Sequence, residues 1–263
     1  MKRRRDEDDD IVEYKLYDIY LEKIDLIKYT PSINGTSREW LKRRQNMLTS
    51  SDAATALGLN PFKPSYMLLF EKCGLVSPFT GNDATQYGQL MESRAIDAYC
   101  LKTGYKHLDI GLLDIPDSRL LPKIEPAFAY DVFNGTYDFI GGTPDGIVIP
   151  RYVGDIKTLC VKMIEVKCPH KKRVKWRKVP PHYMPQIQLN MLLTRISTTD
   201  FIQYFPPEGD KPEMLNIIHV NRDDDLIMEY LSQLHTFWEE VKYWRNNDIA
   251  SHPEYDKIRS DFI

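Results

Sequence analysis

The sequence predicts an α/β fold in which a mixed central β-sheet is flanked by helices. Three observations carry this. Strand-like segments at Leu108–Ile115, Phe128–Val132 and Tyr137–Ile140 lead into a Pro-Asp-Gly turn at 144–146. Beyond that turn come the apolar run Ile147-Val148-Ile149 and the alternating run Val161–Lys167, two strands joined by a loop. Helical patterns precede and follow them, at Tyr87–Leu101, His182–Thr194 and Asp224–Trp244.

The elements follow in order. Residues 11–29 mix apolar and charged residues at loose helical spacing, and Pro31 to Gly35 breaks the pattern. Thr36 and Glu39 form a capping box for a helix carrying Arg38, Lys42, Arg43 and Arg44. In TSSDAATALGLNP, Ser50, Ser51 and Asp52 are N-cap candidates and Gly58 a stop. Ser65–Lys72 is a helix stopped at Gly74, and the Tyr87–Leu101 helix, with Tyr87, Met91, Ala95, Ala98 and Tyr99 along one stripe, stops at Gly104. In His182–Thr194, Pro185 is tolerated only in the first turn. Phe201–Phe205 and Leu215–Val220 read as strands. The Asp224–Trp244 stripe of Ile227, Tyr230, Leu231, Leu234, Trp238, Val241 and Trp244 reads as core or an oligomer face, and the last residues as a tail.

The chain has 263 residues, 42% of them hydrophobic and 11% aromatic, which describes a globular protein. No apolar run reaches the length of a membrane span, and MKRRRDEDDD has no signal-peptide core. Cys73, Cys100, Cys160 and Cys168 form no CxxC pair, as expected of a reduced intracellular protein. A net charge of −3 argues against a generally basic, nucleic-acid-coating surface but allows local basic patches. Lys2–Arg5 is open to two readings, a nuclear address or part of a solvated tail. With no repeat or linker, residues 11–263 are expected to form one domain behind a disordered charged tail, 1–10.

The chemistry concentrates between Gly141 and Lys167. Asp145 sits in its turn just before one strand, and Glu165 and Lys167 share a face of the next. Two carboxylates and a lysine in one cleft suit metal-assisted phosphodiester hydrolysis: hard oxygens hold Mg²⁺, and both Mg²⁺ and Mn²⁺ accept them. Lysine there can orient water or neutralise transition-state charge. Glu92, at the edge of its helical stripe, points into a polar cleft or reaches solvent. Gln186 and Gln188 are neutral donors near a strand end. The Ser-rich turn at 50–52 is a natural anion site to which Arg43 or Arg44 could add a charge. After Pro169, Lys171, Lys172, Arg173, Lys175, Arg177 and Lys178 crowd around Trp176, suited to binding phosphates without reading sequence. Trp176 either stacks on an unpaired base or packs beneath the loop.

RQNMLTSSD (44–52), GQLME (88–92), TPDG (143–146), EVKCP (165–169) and YMPQIQ (183–188) occur in family order. On these motifs, which run from about Trp40 to Thr194, the chain resembles the PD-(D/E)xK nuclease superfamily, in the branch of lambda exonuclease and the YqaJ-like viral recombinases. The resemblance implies a restriction-endonuclease-like core. It also implies that Asp145, Glu165 and the Val166 carbonyl hold the metal, with Glu92 completing the site, Lys167 acting on the attacking water and Gln186 beside it. Arg44 and Ser51 match positions that grip a 5′-phosphate. Thr143 stands where the family has Ser before Pro-Asp, Asn190 stands where the helicase-associated nucleases have Tyr, and the cysteine cluster of the iron–sulfur members is absent. The implied activity is Mg²⁺-dependent digestion of one strand of linear duplex DNA from a 5′-phosphorylated end, leaving a 3′ single strand for recombination. The implied partners are double-stranded DNA ends, a single-strand annealing protein and two further copies in a homotrimer, inside a virus-infected cell and away from membranes. An endonuclease or RNA-degrading enzyme with the same site is the alternative. A binding module with a relic site is a third reading, against which the intact Asp145, Glu165 and Lys167 argue.

Overall fold

The computed structural model describes residue 22 and residues 38–77, 81–121, 127–150, 161–170 and 176–261. The predicted helix at 11–29 and the Thr36 cap lie outside them, apart from Glu22. So do Cys160 and the basic residues Lys171, Lys172, Arg173 and Lys175.

Helix α1 spans Arg38–Gln45 and leads through strand β1 (Leu48–Thr49) into α2 (Ser50–Ala56) and α3 (Ser65–Lys72). The long helix α4 (Asp83–Thr103) precedes β2 (Tyr105–Leu108), β3 (Leu113–Asp114) and the short α5 (Ile115–Ser118). Then come β4 (Ile140–Gly142), β5 (Gly146–Pro150) and β6 (Lys162–Lys167). Helix α6 (Met184–Thr194), strands β7 (Thr198–Phe205) and β8 (Met214–Asn221), and helices α7 (Asp224–Arg245) and α8 (Tyr255–Asp261) complete the order.

The larger sheet runs β2-β5-β6-β7-β8, with β6 and β7 parallel and the other pairs antiparallel. A smaller sheet, β1-β4-β3, pairs β1 parallel and β3 antiparallel to β4. The predicted mixed sheet is therefore present. Successive residues of a strand face opposite layers. Val148, Ile164 and Ile202 pack with Met91, Ala95, Ile96 and Tyr99 of α4. Their neighbours Ile147, Met163 and Phe201 pack on the other side with Ile187, Leu189 and Met191 of α6 and with α7. Helix α7 buries Ile227, Tyr230, Leu231, Leu234, Trp238 and Val241 as its 3.6-residue period predicts, with Phe237 added, so that face is core.

Punctuation residues account for several boundaries. Gly104 ends α4 in the left-handed conformation, φ 75°. Pro185 falls in the first turn of α6, where it costs no hydrogen bond. Five expectations differ. The cap of α2 is Thr49, in a capping box with Asp52, rather than Ser50, Ser51 or Asp52 itself. The strand expected over Leu108–Ile115 keeps only Leu108, the last residue of β2, and the two-residue β3, and Ile115 opens α5 under an Asp114–Asp117 capping box. Phe128–Val132 forms no strand; its backbone is held from outside, Ala129 N donating to Asp224 Oδ2 at 2.8 Å. Tyr137–Phe139 is turn, with strand beginning at Ile140. The C-terminal segment is no tail: His252 and Ile258 are buried, the latter against the main core.

One long-range tie sets the N-terminal helices. Arg245, at the end of α7, donates to the carbonyls of Gln45 and Lys72, each at 2.7 Å. It thereby caps the C-terminal ends of α1 and α3 together. Among the described residues no helix is long and apolar enough to cross a membrane.

Candidate active site

Strand alternation puts Glu165 and Lys167 on the α6 side of β6, as the sequence predicts. Glu165 is wholly buried. Its Oε1 accepts from Lys167 Nζ at 2.5 Å, and Asn190 Nδ2 of α6 lies 3.5 Å from Oε2. Asp145 reaches the same strand from the preceding turn, its Oδ2 accepting from Val166 N at 2.6 Å.

That turn depends on the glycines around it. Gly146 has φ 145°, and a Cβ there would lie 2.0 Å from His107 Nε2, the nitrogen that donates to the Asp145 carbonyl at 2.9 Å. At Gly142 a Cβ would lie 2.4 Å from Asn190 Oδ1 and 2.5 Å from Ser50 Oγ. The strand leading to Asp145 is thus wedged between the start of α2 and the middle of α6.

Burial and mutual repulsion dominate the electrostatics. Burial, then Asp145 and Glu92, push Glu165 up to about 8 against the pull of Lys167. Glu92 comes from α4, on the opposite layer. Burial, then Asp145 and Asp109, push it up to about 7, with Lys167 again opposing. Asp145 is raised by burial against Lys167, the Val166 amide and His107. Burial disfavours the Lys167 ammonium, but Glu165 and Asp145 outweigh it and raise its pKa. Lys167 also lies 5.2 Å from the Tyr183 ring centre. Burial and the carboxylates push the Cys168 thiol up to about 12, which makes it a poor nucleophile.

One ammonium therefore faces three carboxyls that resist ionisation together, and a hard cation would relieve the repulsion among them and favour their ionised forms. Among the described residues no three His, Cys, Asp or Glu side chains converge closely enough to hold an ion by themselves. The donor set fits one or two carboxylates completed by a carbonyl and water, the usual manner of Mg²⁺.

Arg44 and Ser51 meet as well. Arg44 Nη2 lies 3.4 Å from both Ser51 Oγ and Thr49 Oγ1, and the two hydroxyls are 3.0 Å apart. Arg43 turns away into an ion pair with Asp114 at 2.6 Å and another with Asp117, so of the two arginines Arg44 is the one at the serines. Gln186 is half-buried in the first turn of α6. Gln188 is structural: its amide donates to Asn221 O and accepts from Asp223 N, bracing the β8–α7 turn. Of the basic run, Arg177 and Lys178 are exposed. Trp176 packs, with ring centres 5.8 Å from Tyr183 and 5.9 Å from Phe201. Sequence reasoning missed three residues, Asn190, His107 and Tyr183 as the ring beside Lys167. Only their topological partners reveal them.

Residues 39–197 match the YqaJ-like viral recombinase domain, more than half of the chain and every motif quoted above. The chain belongs to this family. Among the relatives of this YqaJ-like chain, an uncharacterized protein of Acanthamoeba polyphaga mimivirus is 25% identical over 198 residues, 73% of this chain and 33% of that protein. A protein of African swine fever virus is 28% identical over 168 residues, 60% of this chain and 46% of its own length. The chain thus spans between a third and about half of these relatives. The fold resembles that of an alkaline exonuclease from Laribacter hongkongensis. The complex of that enzyme with dAMP gives a TM-score of 0.56 at 24% identity, covering 86% of this chain and 99% of the enzyme. This YqaJ-like chain accordingly has the restriction-endonuclease-like fold, a mixed sheet between helical layers.

Proposed function

We propose that this chain is a metal-dependent DNA exonuclease that hydrolyses one strand of linear duplex DNA from a 5′-phosphorylated end and leaves a 3′ single strand. The observation that carries the reading is the cluster of the buried Glu165 with the half-buried Asp145 and Lys167, joined from the other layer by Glu92. Asp145, Glu165 and the Val166 carbonyl, with Glu92 completing the set, would hold Mg²⁺ or Mn²⁺. The ion would polarise the scissile phosphate and lower the pKa of its bound water.

The chain's own residues supply the rest. Lys167, held as an ammonium by Glu165 and Asp145, presents a proton donor and positive charge to the phosphate oxygens. Asn190 and the Val166 amide orient the two carboxylates. Arg44 and Ser51 bind the terminal phosphate, supported by the 3.4 Å approach of their side chains. Gln186 borders the site from α6, and Arg177 and Lys178 attract the backbone on the approach, as would Lys171, Lys172, Arg173 and Lys175. Assembly as a homotrimer, cooperation with a single-strand annealing protein and action in a virus-infected cell belong to the same reading.

The test is a time course on linear duplex DNA with Mg²⁺. Strands are labelled at either end, with 5′-phosphate and 5′-hydroxyl versions and a closed circle. Mononucleotides should appear from the phosphorylated 5′ end while the circle stays intact. A nicked circle would move the chain to the endonucleases and remove the task assigned to Arg44 and Ser51.

A further inference from the structure

Phe62 is 83% exposed. Lone exposed apolar residues are ordinary, but this one is held in place. Its loop joins α2, which carries Ser51, to α3. The Asn60 side chain braces that loop, accepting from Phe62 N at 2.9 Å and donating to Thr55 Oγ1 at 2.8 Å. Leu59 N and Asn60 N both donate to Ala54 O. Pro61 and Pro64 flank the ring, and Lys63 is pinned to Glu71 at 2.6 Å.

The ring begins an aromatic row that ends at the candidate catalytic lysine. Phe62 meets His182 edge-on, centres 6.0 Å apart; His182 lies 4.2 Å from Tyr183; and the Tyr183 ring is beside Lys167 Nζ. Burial, then the Lys167 charge, lower the His182 pKa, which favours the uncharged ring with its π-face. Cations are available nearby in the chain: the exposed Arg177 and Lys178 precede His182 by five and four residues, and Arg44 meets Ser51 on the helix that leads into the Phe62 loop.

We propose that Phe62 and His182 form a stacking shelf for an unpaired nucleobase of the strand entering the site. Every base has a π-face, so the contact tolerates any sequence, while the nearby cations take the phosphates. The inference rests on the nuclease reading and adds to it a selection: an end whose terminal nucleotides are unpaired is held more tightly than a blunt one.

The test is binding of the full chain, without divalent cation, to a 5′-phosphorylated duplex whose two unpaired 5′ nucleotides carry 2-aminopurine. Phe62→Ala should weaken binding about tenfold and abolish the fluorescence quenching of the probe. Phe62→Tyr should restore both. Replacing the unpaired bases by abasic sites should cost the wild type the same factor and leave Phe62→Ala unchanged. A Phe62→Ala variant that binds and quenches like the wild type overturns the shelf. So does one whose only change is dissociation of an oligomer, which would make Phe62 a contact between copies. Folded wild-type protein that ignores the DNA altogether would sink the nuclease reading itself, whereas binding indifferent to Phe62 removes the shelf alone.

Discussion

Gly146 shows how little freedom a single residue has near the site. Its φ of 145° excludes ordinary side chains, and a methyl group would strike His107, which steadies Asp145. Gly146→Ala should cost about 3 kcal/mol, read as a lower urea midpoint at unchanged slope. The polar residues of the cluster behave differently. Asp145→Asn and Lys167→Ala should each lower turnover by about 100-fold or more while the protein still binds DNA, because they alter charge at the reacting phosphate rather than the approach to it. Single-turnover rates beside binding curves check this, and near-normal turnover in either variant would unseat the assignment. At the other end of the site, Arg44→Ala should erase the preference for a 5′-phosphate over a 5′-hydroxyl, measured as the ratio of initial rates.

Among the elements, α2 is short, at seven residues, and owes its place to ties at its start. Asp52 accepts from the Thr49 hydroxyl at 2.7 Å and pairs with the nearly buried Lys72 at 2.8 Å. Burial alone would raise the Asp52 carboxyl, but Lys72 and Thr49 outweigh it and hold it below the usual range. A depressed carboxylate stabilises the fold above its unfolded value, near pH 4, and the contribution is lost as pH falls through the folded value. Urea midpoints of the wild type should therefore fall below about pH 4 more steeply than those of Asp52→Asn. At neutral pH that variant should be destabilised by about 2 kcal/mol, since Lys72 loses its ion-pair partner and keeps only the Arg44 carbonyl. Elements that announce themselves with a cap or a stop, such as α3, α4 and α7, were legible in the sequence. So was the β5–β6 pair, because alternation alone places Glu165 and Lys167 on one face. Strands β1, β3 and β4 are two or three residues long, too short for any period to show. Phe128 and Val132 supply apolar residues that the core uses without a strand, and Ile258 does the same for a segment read as a tail. The site was legible where chemistry and local pattern coincide. Asn190 was not, because its role comes from an approach between α6 and β6; the residue pattern left Arg43 and Arg44 open, the resemblance named Arg44, and the ion pairs of Arg43 with Asp114 and Asp117 agree with that choice.

Taken as a whole, the molecule carries a net charge of −3, and three of its carboxyls, those of Asp145, Glu165 and Glu92, gather around a single lysine. The two layers are held by apolar packing on both faces of the sheet, independently of any ion. Chelation should therefore abolish nuclease activity while leaving the circular dichroism spectrum intact, and added Mg²⁺ should restore activity without a refolding step. A chain that unfolded on chelation would make the ion structural rather than catalytic.

The Arg245 tie sets an order of assembly in time. Gln45 and Lys72, whose carbonyls it binds, precede it by 200 and 173 residues. A ribosome adding about 5–20 residues per second makes the helix carrying Arg44 some 10–40 seconds before the arginine that fastens it. Until then the ends of α1 and α3 lack the side chain that joins them, and the phosphate grip proposed for Arg44 would be among the last features to mature.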